Sequence, residues 1–526
     1  MKILISDNLN PQCVEILTRD GFEVENRPGI PPADLLAAIG DCDALLVRSA
    51  TKVTAEVIAA GRNLKIVGRA GTGVDNIDVP AATRRGVVVM NTPGGNTVSA
   101  AEHAVSMMLS LARNIPQAHA SLTGGAWDRK TFTGTEVYEK TVGVIGLGKI
   151  GREVAARCKG LGMTAIGYDP VLGADASARL GIDPVTLDEL YRRADFITVH
   201  TPLTAETTGL LNDAAFEKCK KGVRVVNCAR GGIIEEGALL RALQSGRVAG
   251  AALDVFATEP PKGNPLVGHP RVVVTPHLGA STEEAQEKVA IQIAHAVGDA
   301  LHGRGYAGVV NSSALGAMLQ GEMRPYVSLA EKLGSAAAQL ARGKVKKVTI
   351  GVAGDQIAGS VEVLKAGVLK GVLSHAVPDP VNVVSAPFLA QEMGLAVGVR
   401  QDPAEDDFPV RVSVTYETDQ DVHELSGVVF GRSAARLIAL DRYRLNVNPE
   451  GFLLIYKNLD RPGMLARVGS ILAEHGVNIG EVSLGRSAAG AEALTIMSVD
   501  SRVPGAALDG ISRVDGVSGV RVVDLH

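Results

Sequence analysis

The chain opens on short apolar runs separated by amphipathic stretches, and this alternation persists to about Asn311. KILISD, ALLVRS, KIVGRAG and VVVMNTP cluster apolar and β-branched residues and read as strands. CVEILTRDG, ADLLAAIG and AEVIAAGR space apolar positions three and four apart and read as helices. A second series follows, with TVGVIGLG, TAIGYD, FITVHTP, VRVVNCA, AALDV and VVVTPH as strands, closed by a polar-faced helical stretch from Ser281 to about Gly303. Strands that alternate with helices predict parallel sheets. The expected class is α/β, with two doubly wound parallel-sheet domains. A flavodoxin-like substrate domain is expected over residues 1–95 and 281–311, and a Rossmann-like nucleotide domain over 96–280. Two such domains leave a cleft between them, and ligands sit at the carboxyl ends of the strands.

The rhythm changes after about Asn311. LGAMLQGEMRPYVSLAEKLGSAAAQLA predicts helix, and KVKKVTIGVAG and FPVRVSVTYET predict strands, so an α+β intervening domain is expected over 312–450. From Gly451, GFLLIYKN, PGMLARVGSILAEHG, VNIGEVSLGR, EALTIMSVD, PGAALDGISRVDG and VSGVRVVDL follow the order βαββαβ, a ferredoxin-like module over 451–526.

Composition removes whole classes of function. At 526 residues, 46% hydrophobic and 21% charged, the chain is too long for one core and globular in balance. A net charge of -4 gives no reason to expect nucleic acid. Cys13, Cys42, Cys158, Cys219 and Cys228 form no CxxC pair, which argues against a disulfide framework or zinc site and for a reducing cytoplasm. No metal is expected. MKILISD begins directly on a strand, so no signal peptide is expected. No uninterrupted apolar stretch reaches membrane-spanning length, so no membrane partner is expected either.

The most specific chemistry lies in TVGVIGLGKIG, where Gly146, Gly148 and Gly151 stand between a strand and a helix. Gly146 permits the tight turn, Gly148 lets backbone approach a pyrophosphate, and Gly151 lets the helix pack close to the sheet. Asp169 ends the next strand, roughly 20 residues on, where a carboxylate accepts from ribose hydroxyls. No Arg follows Asp169 in YDPVLGADAS, which favours NAD over NADP.

Three polar residues stand just past strands in the same domain. Arg230 follows VRVVNCA, Glu259 follows ALDVFAT and His277 follows VVVTP. Hydride transfer from an alcohol carbon needs a base for the hydroxyl proton, which suits a His. A carboxylate beside it orients the ring, and an Arg fork binds a substrate carboxylate and polarises the carbonyl. Each residue taken singly has a plainer reading: a capping His, a solvated loop acid, a surface salt-bridge partner. At the ends of N-terminal strands, Arg48, Ser49 and Arg69 are candidates for a substrate phosphate, against the alternative that the arginines are structural. Asn96 lies in the GGNT turn that starts the crossing helix.

NCARGGIIEE, DVFATEPP and TPHLGAST resemble the signature blocks of the D-isomer-specific 2-hydroxyacid dehydrogenases. GRAGTGVDNID, NTPGGNTVSAAEH and the C-terminal module resemble the long branch of that family, which carries an intervening domain and a terminal ACT domain. The resemblance covers essentially the whole chain. It implies NAD-dependent oxidation of 3-phospho-D-glycerate to 3-phosphooxypyruvate, the first committed step toward L-serine. It also implies a homo-oligomer, a dimer of dimers. Arg230 is then the carboxylate and carbonyl binder, Glu259 the partner that tunes the base, and His277 the acid/base. Cofactor contacts fall on Thr72, Lys149, Ile150, Asp169, Thr201, Cys228, Ala229, Arg230, Asp254, His277, Gly279 and Ala280, with Thr72 reaching over from the other domain. Asn458, Asp460 and Asn478 match an amino-acid site across an ACT dimer interface, which suits L-serine. Assembly without a ligand is the alternative. Arg129 and Lys130, after Trp127, match a loop at the catalytic dimer interface. Two rival readings remain: a glycerate or hydroxypyruvate reductase, which needs neither phosphate cluster nor tail, and an NAD-sensing scaffold of the same fold.

Overall fold

The computed structural model describes residues 1–526 except 318–322, 379, 406, 487 and 489, together with the side chains of 174–176. The chain divides into two units, Met1–Arg69, Gly73–Asn91 and Ile293–His526 in one, Ala70–Thr72 and Thr92–Gln292 in the other.

In the first unit, β1 (Lys2–Ile5), β2 (Glu23–Asn26), β3 (Ala44–Val47), β4 (Ile66–Arg69) and β5 (Val88–Met90) form a parallel sheet in the order β2-β1-β3-β4-β5. That is the flavodoxin-like order. All four residues of β3 are buried, which explains why ALLV runs apolar without alternation. Gly68 is needed where it stands, because a Cβ there would lie 2.6 Å from Leu46 and 2.8 Å from Val297. Neither β2 nor the helix Val79–Arg84 is among the expected elements: EVEN is an edge strand with polar residues on both faces, so it carries no period-2 signal.

The second unit holds β6 (Thr141–Ile145), β7 (Thr164–Tyr168), β8 (Asp183–Pro184), β9 (Phe196–Val199), β10 (Val223–Asn227), β11 (Val248–Leu253) and β12 (Val272–Val274). Their order is β12-β11-β10-β9-β6-β7-β8, and every pairing is parallel. Strand order reverses between β6 and β9, and a doubly wound sheet opens its ligand crevice there. The helix Thr97–Ala112 packs Ala104, Met108 and Leu111 over Val142, Val226 and Ala252.

The C-terminal part of the first unit carries two more sheets. β13 (Val345–Ala353), β14 (Ala396–Gln401), β15 (Arg411–Thr418), β16 (Val422–Phe430), β17 (Ala434–Leu440) and β18 (Tyr443–Val447) follow the order β14-β13-β15-β16-β17-β18. The helix expected through LGAMLQGEM falls partly on 318–322, outside the described residues; Ser313–Ala317 and Arg324–Leu340 are helical on either side. β19 (Gly451–Leu459), β20 (Ile479–Arg486), β21 (Glu492–Val499) and β22 (Val517–Leu525) form an antiparallel sheet in the order β20-β21-β19-β22. Alternation along β19 serves two cores. Leu454 and Tyr456 pack under the helices Met464–Glu474 and Gly505–Ser512, whereas Leu453 and Ile455 join Leu333, Ile350 and Val414 in one continuous core with the intervening domain. Gln339 reinforces that seam, donating to the Asp524 carbonyl at 2.7 Å and accepting from its amide at 2.8 Å. Farther along, Arg84 grips Glu392 through Nε at 2.9 Å and Nη2 at 2.5 Å. No helix among the described residues is long and apolar enough to cross a membrane.

Candidate active site

The carboxyl ends of the second unit's strands carry the candidate chemistry. Gly146, after β6, has φ +90°, and a Cβ there would strike the His200 carbonyl at 2.7 Å. A Cβ at Gly151 would lie 2.0 Å from the Gly146 carbonyl, so only glycine lets the helix Lys149–Gly160 start this close to the strand. Gly148, the N-terminal cap of that helix, faces open space. Thr201, just past β9, holds a buried hydroxyl without a hydrogen-bond partner. An open glycine at a helix N-terminus beside an orphaned hydroxyl is what a dinucleotide pyrophosphate and its ribose require, so the residues fit NAD.

Asp169, after β7, accepts from the Leu147 amide at 2.7 Å and from the amides of Val171 and Leu172 at 2.8 and 3.0 Å. Burial pushes its carboxyl up, but those amides and the Arg152 charge outweigh burial and hold it below the ordinary carboxylate value. It is therefore an anion that also braces the glycine turn. Lys149 donates to the Pro93 carbonyl at 3.1 Å, and Ile150 lies half-buried in the first helical turn. Cys228 follows β10; burial, with the Asp254 charge, pushes its thiol well up, so it is a neutral neighbour. Ala229 donates its amide to Asn227 Oδ1 at 3.0 Å, which shapes the turn into Arg230.

Gly231 brings that turn against the chain before Glu259, since a Cβ there would overlap the Phe256 carbonyl at 1.9 Å. Glu259 Oε1 accepts from the Phe256 amide at 3.1 Å, and Oε2 lies 2.8 Å from His277 Nδ1. A carboxylate only accepts, so Nδ1 carries the hydrogen and Nε2 keeps its lone pair. His277 holds φ +57°, a left-handed conformation that costs a non-glycine residue about 1 kcal/mol. Its amide donates to the Asp254 carbonyl at 2.9 Å. The Asp254 carboxylate accepts from Thr275 at 2.6 Å, Leu278 at 2.7 Å and Gly279 at 2.9 Å, with His103 Nε2 at 3.1 Å. Burial pushes this carboxyl up; hydrogen bonds from His103, Thr275 and Leu278 more than reverse it. The ligand-type atoms of His103, Cys228 and Asp254 lie within 4.8 Å of one another, but these donors already occupy the carboxylate, and the group is a hydrogen-bonded network. Ala280 follows, half-buried.

Thr72 belongs to the same unit as the nucleotide sheet, and its hydroxyl donates to Asn96 Oδ1 at 2.7 Å. In the first unit, Asp7 accepts from the Arg48 amide at 2.6 Å and the Thr51 amide at 3.0 Å, which shapes the Arg48–Ser49 turn. Asn76 donates to the Arg48 carbonyl at 2.8 Å and accepts from Arg69 Nε at 3.1 Å. Asp7, Asn76, His103 and Thr275 are not among the residues expected from the sequence. Asp7 and Thr275 left a signal, each a polar residue just past the carboxyl end of a strand.

In the C-terminal module, Asn458 is buried, its Oδ1 accepting from Thr495 at 2.8 Å and its amide donating to the Leu459 carbonyl at 2.9 Å. Its side chain ties strands together. Asp460 Oδ2 accepts from Arg486 at 3.2 Å and the Gly490 amide at 3.1 Å; exposed Asn478 donates to Asp500 at 2.7 Å. Leu459 pairs with Glu492, and Ile479 with Val499, so Asp460 and Asn478 stand at opposite ends of β21, about 23 Å apart at strand rise. Trp127 is 81% exposed, and Arg129 and Lys130 beside it are exposed.

Three family models match the chain: the D-isomer specific 2-hydroxyacid dehydrogenase NAD binding domain over residues 105–279, the D-3-phosphoglycerate dehydrogenase intervening domain over 322–441, and the ACT domain over 452–515. The D-3-phosphoglycerate dehydrogenase of Synechocystis is 41% identical over 525 residues, covering 100% of this chain and 95% of that protein. That of Methanocaldococcus jannaschii is 40% identical over the full length of both. The human one is 50% identical over 404 residues, 77% of this chain and 76% of that protein. Among solved structures, the TT0316 protein of Thermus thermophilus aligns over 59% of this chain and all of that one, with TM-score 0.55 and 32% identity. The Staphylococcus aureus NAD-dependent formate dehydrogenase in complex with NAD covers 59% of this chain and 99% of that one, with TM-score 0.54 and 30% identity.

Proposed function

This chain belongs to the D-3-phosphoglycerate dehydrogenases within the D-isomer-specific 2-hydroxyacid dehydrogenase family, and on that premise we propose how its residues oxidise 3-phospho-D-glycerate. The observation that carries the reading is the Glu259–His277 pair, at 2.8 Å, in the same sheet-end cluster as the glycine cradle and Arg230. Bound NAD would supply the acceptor for the C2 hydride, and the glycine cradle, Asp169 and Thr201 would hold it. Arg230 binds the substrate carboxylate and the C2 oxygen, favouring the charge that builds there as the carbonyl forms. His277 Nε2 accepts the hydroxyl proton, while Glu259 holds Nδ1–H and offsets the positive ring that results. Arg48 and Arg69 hold the phosphate, both standing at the carboxyl ends of strands, after β3 and at the end of β4.

The test is NADH formation with 3-phospho-D-glycerate against D-glycerate. The phosphorylated substrate is expected to win by on the order of 100-fold in kcat/KM, the worth of two charge-assisted contacts. Equal rates would make the chain a reductase of unphosphorylated acids, and no NADH at all would favour the scaffold reading. Arg48→Ala and Arg69→Ala should each cost about 10- to 100-fold on the phosphorylated substrate and little on D-glycerate. Matching losses on both substrates would return the arginines to a structural role. Asp169→Ala should weaken NAD and lower the NAD-to-NADP ratio of kcat/KM by about 10-fold or more, because the anion repels a 2′-phosphate. An unmoved ratio would mean that the adenosine is read elsewhere.

The reaction feeds L-serine synthesis, and L-serine acts back through the ACT module. Because Asp460 and Asn478 stand at opposite ends of one sheet, a shared site draws Asp460 from one copy and Asn478 from a second. The exposed Ile115, Leu122 and Trp127 supply further apolar surface for assembly, and a dimer of dimers uses both surfaces. The effector works by favouring one domain arrangement over another. Calorimetry should register serine binding to the wild type and at least about 10-fold weaker binding to Asp460→Ala. No heat with the wild type would leave the module to assembly alone. The five free cysteines, in no CxxC pattern, support a cytoplasmic enzyme.

A further inference from the structure

The helix Thr97–Ala112 presents Ser99 and His103, one turn apart and on one face, to the turn that carries His277. Ser99 Oγ is buried and donates to the Gly279 carbonyl at 3.0 Å. His103 Nε2 lies 3.1 Å from Asp254 Oδ1 and 3.1 Å from Thr275 Oγ1. Both oxygens are acceptors toward it, because Thr275 spends its own hydrogen on Asp254 at 2.6 Å, so Nε2 carries the hydrogen. Asp254 in turn holds the amides of Leu278 and Gly279 through its carboxylate and the amide of His277 through its carbonyl. Three consecutive amides after β12 thus hang from one buried aspartate, and that aspartate is steadied by the helix. The arrangement has a task, since His277 sits at φ +57°, a conformation from which an unbraced histidine relaxes.

We infer that Ser99 and His103 are positioning residues, which hold the catalytic turn from the helix so that His277 Nε2 stays aligned with the substrate hydroxyl. This deepens the proposed dehydrogenase reading and rests on His277 being its acid/base. Neither residue takes part in proton transfer; each acts through Asp254 or Gly279 on the backbone that carries His277. Removal of the His103 donor lets the turn relax while the Glu259 pair and the glycine cradle remain. The loss therefore appears in the chemical step and not in binding.

The experiment compares wild type, His103→Leu, His103→Gln, Ser99→Ala, His277→Ala and the double variant His103→Leu/His277→Ala in the full-length protein. NADH affinity, substrate KM and kcat are measured for each. His103→Leu should lower kcat about 10- to 100-fold, the cost of a misplaced group, with KM and NADH affinity within about threefold. Gln places an N–H at similar reach and should restore kcat to within about threefold of wild type. Ser99→Ala deletes one hydroxyl and supplies an independent variant should His103→Leu fail to fold; it should cost about 3- to 10-fold in kcat alone. The double variant should be no slower than His277→Ala, because positioning has no value once the positioned group is gone. A kcat for both His103→Leu and Ser99→Ala within twofold of wild type, or a Gln variant as impaired as Leu, or an additive double variant, overturns the inference. If His277→Ala itself turns over like wild type, the acid/base reading fails first, and that outcome is separate from the others.

Discussion

Replacing His277 by alanine is expected to lower turnover by a factor on the order of 10²–10⁴, with NADH affinity within about threefold of wild type. The reasoning is local. Glu259 Oε2, at 2.8 Å, fixes the hydrogen on Nδ1, so Nε2 is the one basic atom the ring can offer. Without it the hydroxyl proton must leave to water. Binding should survive, because on the proposed reading the glycine turn, Asp169 and Thr201 hold the cofactor through other elements. Stopped-flow NADH formation and a fluorescence titration of NADH measure the two quantities separately. Turnover within a few-fold of wild type would remove His277 from the chemistry.

The second large effect concerns Arg230. Arg230→Gln should cost about 10²–10⁴ in kcat/KM, since two charge-assisted bonds to the substrate are lost where charge develops. Arg230→Lys should recover little of this, because a point charge on a flexible stem cannot bridge a carboxylate and a carbonyl oxygen together. The turn itself should persist in both variants. Asn227 Nδ2 donates to the Arg230 backbone carbonyl at 2.8 Å, and Gly231 supplies the close approach to Phe256, neither of which involves the guanidinium. Full recovery by Lys would reduce Arg230 to an electrostatic attractor, and an unchanged Gln variant would exclude it from the site.

What could be read from the chain alone follows from how far apart cooperating residues lie along it. The glycine turn and Asp169 are legible because a strand, a turn and a helix are contiguous, and each residue type answers to one local requirement. Arg230, Glu259 and His277 are legible because each closes an apolar run. The bracing of His277 is not: Ser99 and Gly279 are separated by 180 residues of chain and His103 and Thr275 by 172. No periodicity within one element records that a particular helix face meets a particular turn. The burial of Asn458 is not legible for a related reason. Its neighbours in sequence suggest an exposed loop, while the antiparallel register with β21 turns its amide inward onto Thr495. β2 was invisible because EVEN holds its place by pairing with β1 and not by burying a face.

The continuous core between the last two sheets bears on how this tail can be inherited and rearranged. Domain names divide it near residue 450, yet the oil on one side of β19 and β21 belongs as much to the helix Arg324–Leu340 as to the module that bears the strands. A gene fusion or deletion that cut at that seam would expose Leu453, Ile455, Leu494 and Ile496 as a bare apolar sheet and invite aggregation. Recombination that respects folding must therefore carry the two named domains as a single cassette. A module borrowed alone from elsewhere would have to bring its own cover for that face.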